Sequence, residues 1–499
     1  MFNKENIEKI CQTLLKHNIN IIATGSTSTY IKKSGYKCYH ISHFIKFKEI
    51  LDGRVKTLHP KIHASILFKR KNKKHIKEFK KLNFPEIDFV IVNPYPFQEM
   101  QNKSSDSNKI IEMIDIGGLA LLRSAAKNFH YVSAICNIND YKEFIDILNK
   151  NNGKTNLNFR KKMAAKVFEI TSNYDSMIGN WITNNKNNNF KIFSHKKVSL
   201  RYGENPHQSA FLCKDLTREP IFYDNIIKKG KGLSYNNILD IDSAYECINE
   251  FKEPTCVIIK HNNPCGVASN KNIINAFINA LKTDSDSAFG GIIALNRNVD
   301  HNIAKKITSN FFEIIIAPKF NNKAKVILNK KKNLILIETK KILKNKKLDI
   351  KSINGGYLLQ QKNTINFVKK DMRLVSSAKI SDTIIKDLIF SFKVCKHVKS
   401  NAIVLVKNKK TIGIGAGQMS RIDATKIALS KLSKKEKKNG FVSASDAFFP
   451  FIDNIKILLK NNCVAIIQPK GSINDDKIIE FANKNNIALF FSKYRFFKH

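Results

Sequence analysis

The sequence predicts an α/β fold in two or three domains. Three observations carry this. The 499 residues are too many for one hydrophobic core. Hydrophobic residues make up 42%, enough for a packed interior rather than a disordered chain. Short apolar runs of strand length also alternate with stretches of helical spacing.

In order along the chain, Ile7 to His17 has helical spacing and Ile19-Asn20-Ile21-Ile22-Ala23 reads as a strand. Thr24-Gly25-Ser26-Thr27 then opens a helix, where free N–H groups and small hydroxyl residues suit a phosphate. Ordinary N-capping is the commoner explanation of such a short segment. Phe89-Val90-Ile91-Val92 is a second strand, ending at Asn93-Pro94-Tyr95-Pro96. Ile116-Gly117-Gly118 leads into an amphipathic helix with Arg123 and Lys127. This alternation predicts a doubly wound first domain. The polar stretch Asn184 to Asn189 marks a linker, giving domains over residues 1–190 and 191–499. A further division is expected near residue 365, and a lysine-rich surface stretch runs from about Asn329 to Lys351. No internal repeat is visible.

The formal charge is +45, which brings nucleic acid to mind. Of 86 Lys and Arg, only 10 are Arg, the residue suited to bidentate phosphate and base contacts. Lysine is spread everywhere, with runs such as Lys431 to Lys438, as expected of solvated faces and biased coding. A basic RNA-binding protein is therefore the rival of another class, resting on charge alone. The nine cysteines form no CxxC and are odd in number, which suits reduced thiols in a cytosol. No apolar run has the length of a membrane span.

The chemistry concentrates in a few segments. Cys256-Val257-Ile258-Ile259 reads as a buried strand, and Lys260-His261-Asn262-Asn263-Pro264-Cys265-Gly266 follows it. A fixed cation thus stands beside a group able to move a proton near neutral pH, at a strand's carboxyl end. Arg54-Val55-Lys56-Thr57-Leu58-His59-Pro60-Lys61, preceded by Gly53, suits an anionic substrate or a developing oxyanion. Tyr95, Asp115 and Lys127 would add a phenol, a carboxylate and an ammonium. Arg201 to Gln208 and Lys231 to Asn237 are dense in polar side chains. Gly413-Ile414-Gly415-Ala416-Gly417 follows a hairpin-like pair, but a lone GxGxG is weak evidence for a nucleotide. Asp446-Ala447-Phe448-Phe449-Pro450-Phe451 reads as a core staple, and the tail Tyr494 to His499 would ordinarily fray. A metal is not expected. Pro264-Cys265 is half of a zinc deaminase pattern, but Ala268 stands where the second Cys belongs and no H-x-E occurs.

Taken in order, GRVKTLHPK, IDIGG…LLRSAAKN, RYGENPHQ, KHNNPCGVA, SAFGGIIA, KSNAIV, IGIGAGQMSR and SDAFFPF resemble one family over nearly the whole chain. It is the bifunctional purine-synthesis family that joins AICAR transformylase to IMP cyclohydrolase. The resemblance implies a methylglyoxal-synthase-like cyclohydrolase domain and a larger transformylase domain with two cytidine-deaminase-like halves lacking zinc. It also implies a cytoplasmic homodimer acting on AICAR, FAICAR and 10-formyltetrahydrofolate, with no specific nucleic acid and no membrane.

By the matching motifs, Lys260 and His261 would be the formyl-transfer pair. Asn401, Phe448 and Asp453 would line the catalytic and folate region. Arg201, Tyr202, Arg495, Phe497 and His499 would bind AICAR, with Glu313 as a nucleotide-binding acid. Lys56, Tyr95, Asp115 and Lys127 would form the ring-closing site, with Arg54, Thr57 and the Thr24-Gly25-Ser26-Thr27 loop binding substrate. One departure concerns the start. The family usually has an apolar strand leading into SVSDK, whereas here Phe2-Asn3-Lys4 stands where S-D-K should be, keeping only Lys4. A transformylase with weakened or lost cyclohydrolase activity is therefore the alternative within enzymes.

Overall fold

The structure, a computed structural model, describes residues 3–47, 49–51, 54–95, 97, 101, 106–183, 196–214, 225–228, 230–339 and 348–499. Phe2, Gly53, Pro96, the Asn184–Asn189 stretch and residues 340–347 of the lysine-rich stretch lie outside them. The chain divides into two compact units, Met1–Phe193 and Ser194–His499.

In the first unit, β1 (Ile22–Ala23) is followed by helix α1 (Gly25–Lys33) and pairs in parallel with β2 (Tyr39–His40). The strand expected over residues 19–23 is only two residues long, because its partner turns into a helix at Ile41. β3 (Phe89–Ile91) is followed by α2 (Gly117–Lys127) and pairs in parallel with β4 (Ser133–Ile135). Parallel neighbours need such crossovers. Leu122, Ala125 and Ala126 of α2 pack on Val90 and Ala134 of this strand pair. The long helix α3 (Leu157–Ile182) joins this packing through Ala164 and Val167.

The second unit begins with a separate antiparallel pair, β5 (Lys196–Ser199) and β6 (Phe211–Lys214). Its first half then runs through β7 (Ile226–Lys228), α4 (Tyr235–Ile248), β8 (Thr255–Lys260), β9 (Asn263–Ser269), β10 (Ile292–Leu295), β11 (Ile314–Ala317) and β12 (Ile335–Glu338). An exposed hairpin of β13 (Leu348–Ile353) and β14 (Gly356–Gln361) follows. The second half comprises β15 (Met372–Leu374), α5 (Asp382–Cys395), β16 (Ile403–Lys407), β17 (Lys410–Gly415), α6 (Arg421–Ser430), β18 (Phe441–Ser445), α7 (Asp453–Lys460), β19 (Cys463–Pro469) and β20 (Ala488–Ser492).

Twelve of these strands form one sheet in the order β15-β20-β19-β18-β16-β17-β9-β8-β10-β11-β12-β7. From its centre outward each half repeats the same pattern. An antiparallel hairpin (β9-β8 or β17-β16) is followed by three mutually parallel strands and an antiparallel edge strand. The halves meet where β17 pairs with β9 at Lys410 and Ala268. The second unit thus contains a repeat of topology, in line with the two halves the resemblance implies, although no repeat of residues is visible.

Side chains alternate across this sheet. Val257, Ile259, Ile292, Ile314, Val404, Val442 and Ile467 share one core that spans both halves and is covered by α4 and α5. Their sequence neighbours point the other way into two separate cores, one per half. Burial on both faces is why these strands read as continuous apolar runs.

Two further expectations change. The lysine-rich stretch contains β12, whose Ile335, Leu336 and Ile337 are buried between sheet neighbours. The C-terminal tail is packed rather than frayed: Phe496 enters the shared core, and Ser400 and Lys498 exchange hydrogen bonds, Ser400 N to Lys498 O at 2.9 Å and Lys498 N to Ser400 Oγ at 3.1 Å. No helix among the described residues is long and apolar enough to cross a membrane.

Candidate active sites

In the second unit, β8 ends at Lys260 and a two-residue turn, His261-Asn262, returns the chain into β9. Both turn residues are left-handed, with φ of 50° and 64°. That matches the mirror-image turns that hairpin twist favours. The His261 ring is exposed and has no hydrogen-bond partner among the described residues. Lys260 Nζ donates to the Phe289 carbonyl at 2.8 Å, and Gly290 leaves room for it, since a Cβ there would lie 3.1 Å from Nζ. Because β8 runs antiparallel to β10, this end of the sheet also holds the starts of β10 and β11. Glu313 stands there, accepting from Lys231 Nζ at 2.7 Å and Asn237 Nδ2 at 2.9 Å. Against the upward pull of burial, these hydrogen bonds and the Lys231 and Arg201 charges hold its carboxyl below the usual range. The Arg201 guanidinium stacks 4.6 Å over the Tyr202 ring and donates to its hydroxyl at 2.9 Å. Glu313, Arg201 and Tyr202 thus form a connected set at the end of the sheet where Lys260 also stands.

A second set belongs to the other half. Asn401 donates to the carbonyls of Gln418 at 2.8 Å and Met419 at 3.0 Å. Its Oδ1 accepts from Arg421, whose guanidinium also pairs with the fully buried Asp446. Asp446 accepts from Ser400 Oγ at 2.5 Å, and its carbonyl accepts from Phe496 N at 3.0 Å. The tail is extended, so its side chains alternate: Phe496 points inward while Arg495, Phe497 and His499 are exposed. Arg495 stacks on Phe497 at 4.4 Å, and Phe497 contacts His499 at 5.6 Å. Three of the expected substrate-binding residues therefore share one face. The two sets are tied by Asn263, whose Oδ1 accepts Lys399 N at 2.9 Å. Phe448 lies near Gly471, and Asp453 is exposed at the start of α7; neither is hydrogen-bonded to these sets.

In the first unit, the start of α2 gathers Thr57 and Asp115. A Cβ on Gly117 would lie 2.6 Å from Thr57 Oγ1, and one on Gly118 would strike the Asp115 carboxylate. Asp115 Oδ1 accepts Gly118 N at 2.7 Å, and its own N–H donates to Tyr174 OH at 2.9 Å. Burial pushes the Asp115 carboxyl up despite the Gly118 hydrogen bond. Lys56 Nζ lies 3.8 Å from where a Gly25 Cβ would be, beside the start of α1, whose cap is Thr24. Thr27 is buried and Ser26 exposed on the first turn of α1. Asn3 bridges to Asn93, donating to its Oδ1 at 3.2 Å and accepting from its Nδ2 at 2.7 Å, which brings Lys4 to the end of β3. Tyr95 is exposed after β3; Tyr174, which sequence reading did not single out, joins the Asp115 side through its hydroxyl. Arg54 is engaged by Glu112 on the surface. Lys127 does not join this group. It is the last residue of α2, whereas Asp115 precedes the first, so an eleven-residue helix about 16 Å long separates them.

The glycine motif of residues 413–417 has a packing explanation. Gly413 and Gly415 lie within β17, where a Cβ would strike the carbonyls of Ala428 and Ala424 in α6. Gly266 of β9 abuts the Ala280 carbonyl in the same way.

Comparison with known proteins agrees with this architecture. The family described as AICARFT/IMPCHase bienzyme matches residues 125–431, and an MGS-like domain matches residues 6–120. A protein of Fusobacterium nucleatum named bifunctional purine biosynthesis protein PurH is 44% identical over 500 residues, covering 100% of this chain and 98% of its own. The protein of the same name from Caldicellulosiruptor bescii is 45% identical over 510 residues, with the same coverage. A solved chain titled crystal structure of ForH has 29% identity over 36% of this chain and 94% of its own, but its TM-score of 0.33 is too low to bear on the fold. Alignment over the full length with two-activity relatives, together with the two domain matches, shows that the chain belongs to the AICARFT/IMPCHase bienzyme family, the formyltransferases and cyclohydrolases of the last two steps of IMP synthesis.

Proposed function

We propose that the second unit transfers the formyl group and the first closes the ring. A formyltransferase of this family uses a folate-type donor; the donor we propose is 10-formyltetrahydrofolate, and the acceptor is the aromatic amine of AICAR. The amine nitrogen attacks the formyl carbon, and His261 takes the proton the nitrogen sheds. The Lys260 ammonium stabilises the oxyanion of the tetrahedral intermediate. Collapse expels the folate nitrogen, which takes a proton, leaving FAICAR and tetrahydrofolate. Arg201, Tyr202 and the exposed Arg495, Phe497 and His499 face of the tail hold the nucleotide, with Asn401, Phe448 and Asp453 on the folate side. The observation that supports this most is the exposed His261 ring, without a hydrogen-bond partner among the described residues, beside Lys260 on a two-residue turn.

For ring closure, the FAICAR carboxamide nitrogen attacks the formyl carbon and water leaves. Asp115, whose carboxyl is pushed up by burial, is suited to accept and return the proton. Lys56, Thr57 and Tyr95 lie toward the same substrate, and the start of α1 with Lys56 and Lys4 offers positive charge to its phosphate. Lys127 is supported here by its motif match alone. We also propose a cytoplasmic homodimer, which sedimentation of the purified protein would test.

The deciding experiment assays formyl transfer and IMP formation separately. His261→Ala and Lys260→Ala should each lose about 10²–10⁴-fold in formyl transfer while still closing supplied FAICAR. Normal formyl transfer in both variants would refute the assignment.

A further inference from the structure

The turn that carries His261 is unusual in having two successive left-handed residues, neither of them glycine. Such a turn needs outside support. One helix supplies it. Asp240 of α4 accepts the Asn262 N–H at 2.6 Å, and Ser243, three residues on and so on the same helix face, donates to Asn262 Oδ1.

The repeat provides an internal comparison. The second half has the same hairpin, with Asn408 and Lys409 at φ of 52° and 53°. Asp387 of α5 accepts both of their N–H groups at 2.7 Å. Asp240 and Asp387 are each the sixth residue of a fourteen-residue helix. Both carboxyls are pushed up by burial. One device therefore occurs twice, once under His261 and once under a turn with no part in the proposed chemistry.

We infer that Asp240, assisted by Ser243, is a positioning residue for formyl transfer, which fixes the His261-Asn262 turn so that the imidazole meets the amine. The inference rests on the proposed role of His261. The hydrogen bond of the Asp240 carboxylate is to the Asn262 N–H, not to the His261 ring, although the carboxylate lies within reach of the His261 and Lys260 charges. It acts as a hydrogen-bond acceptor, so an amide oxygen in its place can do the same work.

The test uses the full-length protein, with AICAR and 10-formyltetrahydrofolate for formyl transfer, FAICAR for ring closure, and thermal melting. Asp240→Ala should lower the formyl-transfer kcat on the order of 10²-fold while KM for AICAR stays within about threefold. Ring closure should be unchanged. Asp240→Asn, which keeps an acceptor, should return kcat to within about threefold of the parent. Asp387→Ala should lower the melting temperature comparably and leave kcat alone. Should Asp240→Ala not fold, Ser243→Ala gives the milder reading, about a fivefold loss in kcat. A parent-like kcat in Asp240→Ala or in Ser243→Ala would overturn the inference, as would Asp240→Asn being as damaged as Asp240→Ala. If His261→Ala itself transfers formyl normally, the reading of the site is what fails, and the inference falls with it.

Discussion

Arg421 holds Asn401 by a single donated hydrogen bond, Nη2 to Oδ1 at 2.6 Å, while the rest of its guanidinium is spent on Asp446 and on Ser445 Oγ at 2.9 Å. The Arg421 side chain is 9% exposed and Asp446 is wholly buried. Three acceptors in different directions need a planar fork, and an ammonium cannot reproduce it. Arg421→Lys should therefore keep the charge but release Asn401. Formyl transfer should drop by roughly 10–100-fold, because a small displacement of a site residue is costly. Ring closure should persist. Parent-like formyl transfer in Arg421→Lys would show that Asn401 needs no such anchor.

Acid should weaken the protein through Glu250. Burial by itself would raise this carboxyl, but the His397 hydrogen bond and the positive charges of His397 and of Lys396, 2.7 Å away, outweigh it and hold it down to about 2. Burial in turn lowers the His397 imidazole, against the upward pull of the Glu250 hydrogen bond and charge. The folded value lies below the ordinary carboxylate value, so the contribution is complete above about pH 5 and disappears as pH falls toward 2. It amounts to roughly 3 kcal/mol. Urea midpoints measured at pH 7 and pH 3 should differ clearly for the parent and much less for Glu250→Gln. An equal pH dependence in both would place the acid sensitivity elsewhere.

Much of this was legible in the sequence. The β8 run and the apolar strands of the β16-β17 hairpin could be read because apolar runs act locally; the His261-Asn262 turn could not, since Asn263-Pro264-Cys265-Gly266, whose residue types suggest a bend, lies in β9 instead. The repeat could not be read from the residues themselves and was expected only through the family resemblance with its two halves. Its halves share strand order but not residues, and strand order depends on pairing between distant segments such as Lys410 and Ala268. Asp240 was missed for a related reason: a single Asp in an amphipathic helix carries no local signal. The pairing of Asp240 with Asp387 at the sixth position of two equally long helices becomes visible only once the halves are superimposed in thought. The fraying expected of the tail failed because Phe496 finds the shared core. The separation of Lys127 from Asp115 follows from helix rise, once the helix is known to be unbroken over Gly117–Lys127.

Ring closure should be sensitive to bulk at the start of α2. A methyl at Gly117 would lie 2.6 Å from Thr57 Oγ1, closer than van der Waals contact permits. Thr57 is next to Lys56 in sequence, so displacement of one moves the other. Gly117→Ala should raise KM for FAICAR and slow IMP formation by roughly tenfold, leaving formyl transfer intact. The coupled assay would then accumulate FAICAR. Equal loss of both activities in a folded variant would argue against separate sites.

The glycines of β17 make the last prediction. A Cβ on Gly415 would collide with the Ala424 carbonyl, a backbone atom that cannot rotate away, so α6 would have to lift from the sheet. Gly417 is a different case: its φ is +67°, yet nothing lies within 4 Å of a Cβ there. Gly415→Ala should thus cost about 1–3 kcal/mol or more by overpacking, whereas Gly417→Ala should cost only about 1 kcal/mol for the left-handed backbone. The two also differ in function. α6 begins at Arg421, so lifting it carries the guanidinium away from Asn401 and Asp446. Gly415→Ala should therefore lose formyl transfer along with stability. Urea unfolding of both variants distinguishes this from a ligand-cradling role for the motif, in which Gly415→Ala would bind substrate poorly while melting like the parent.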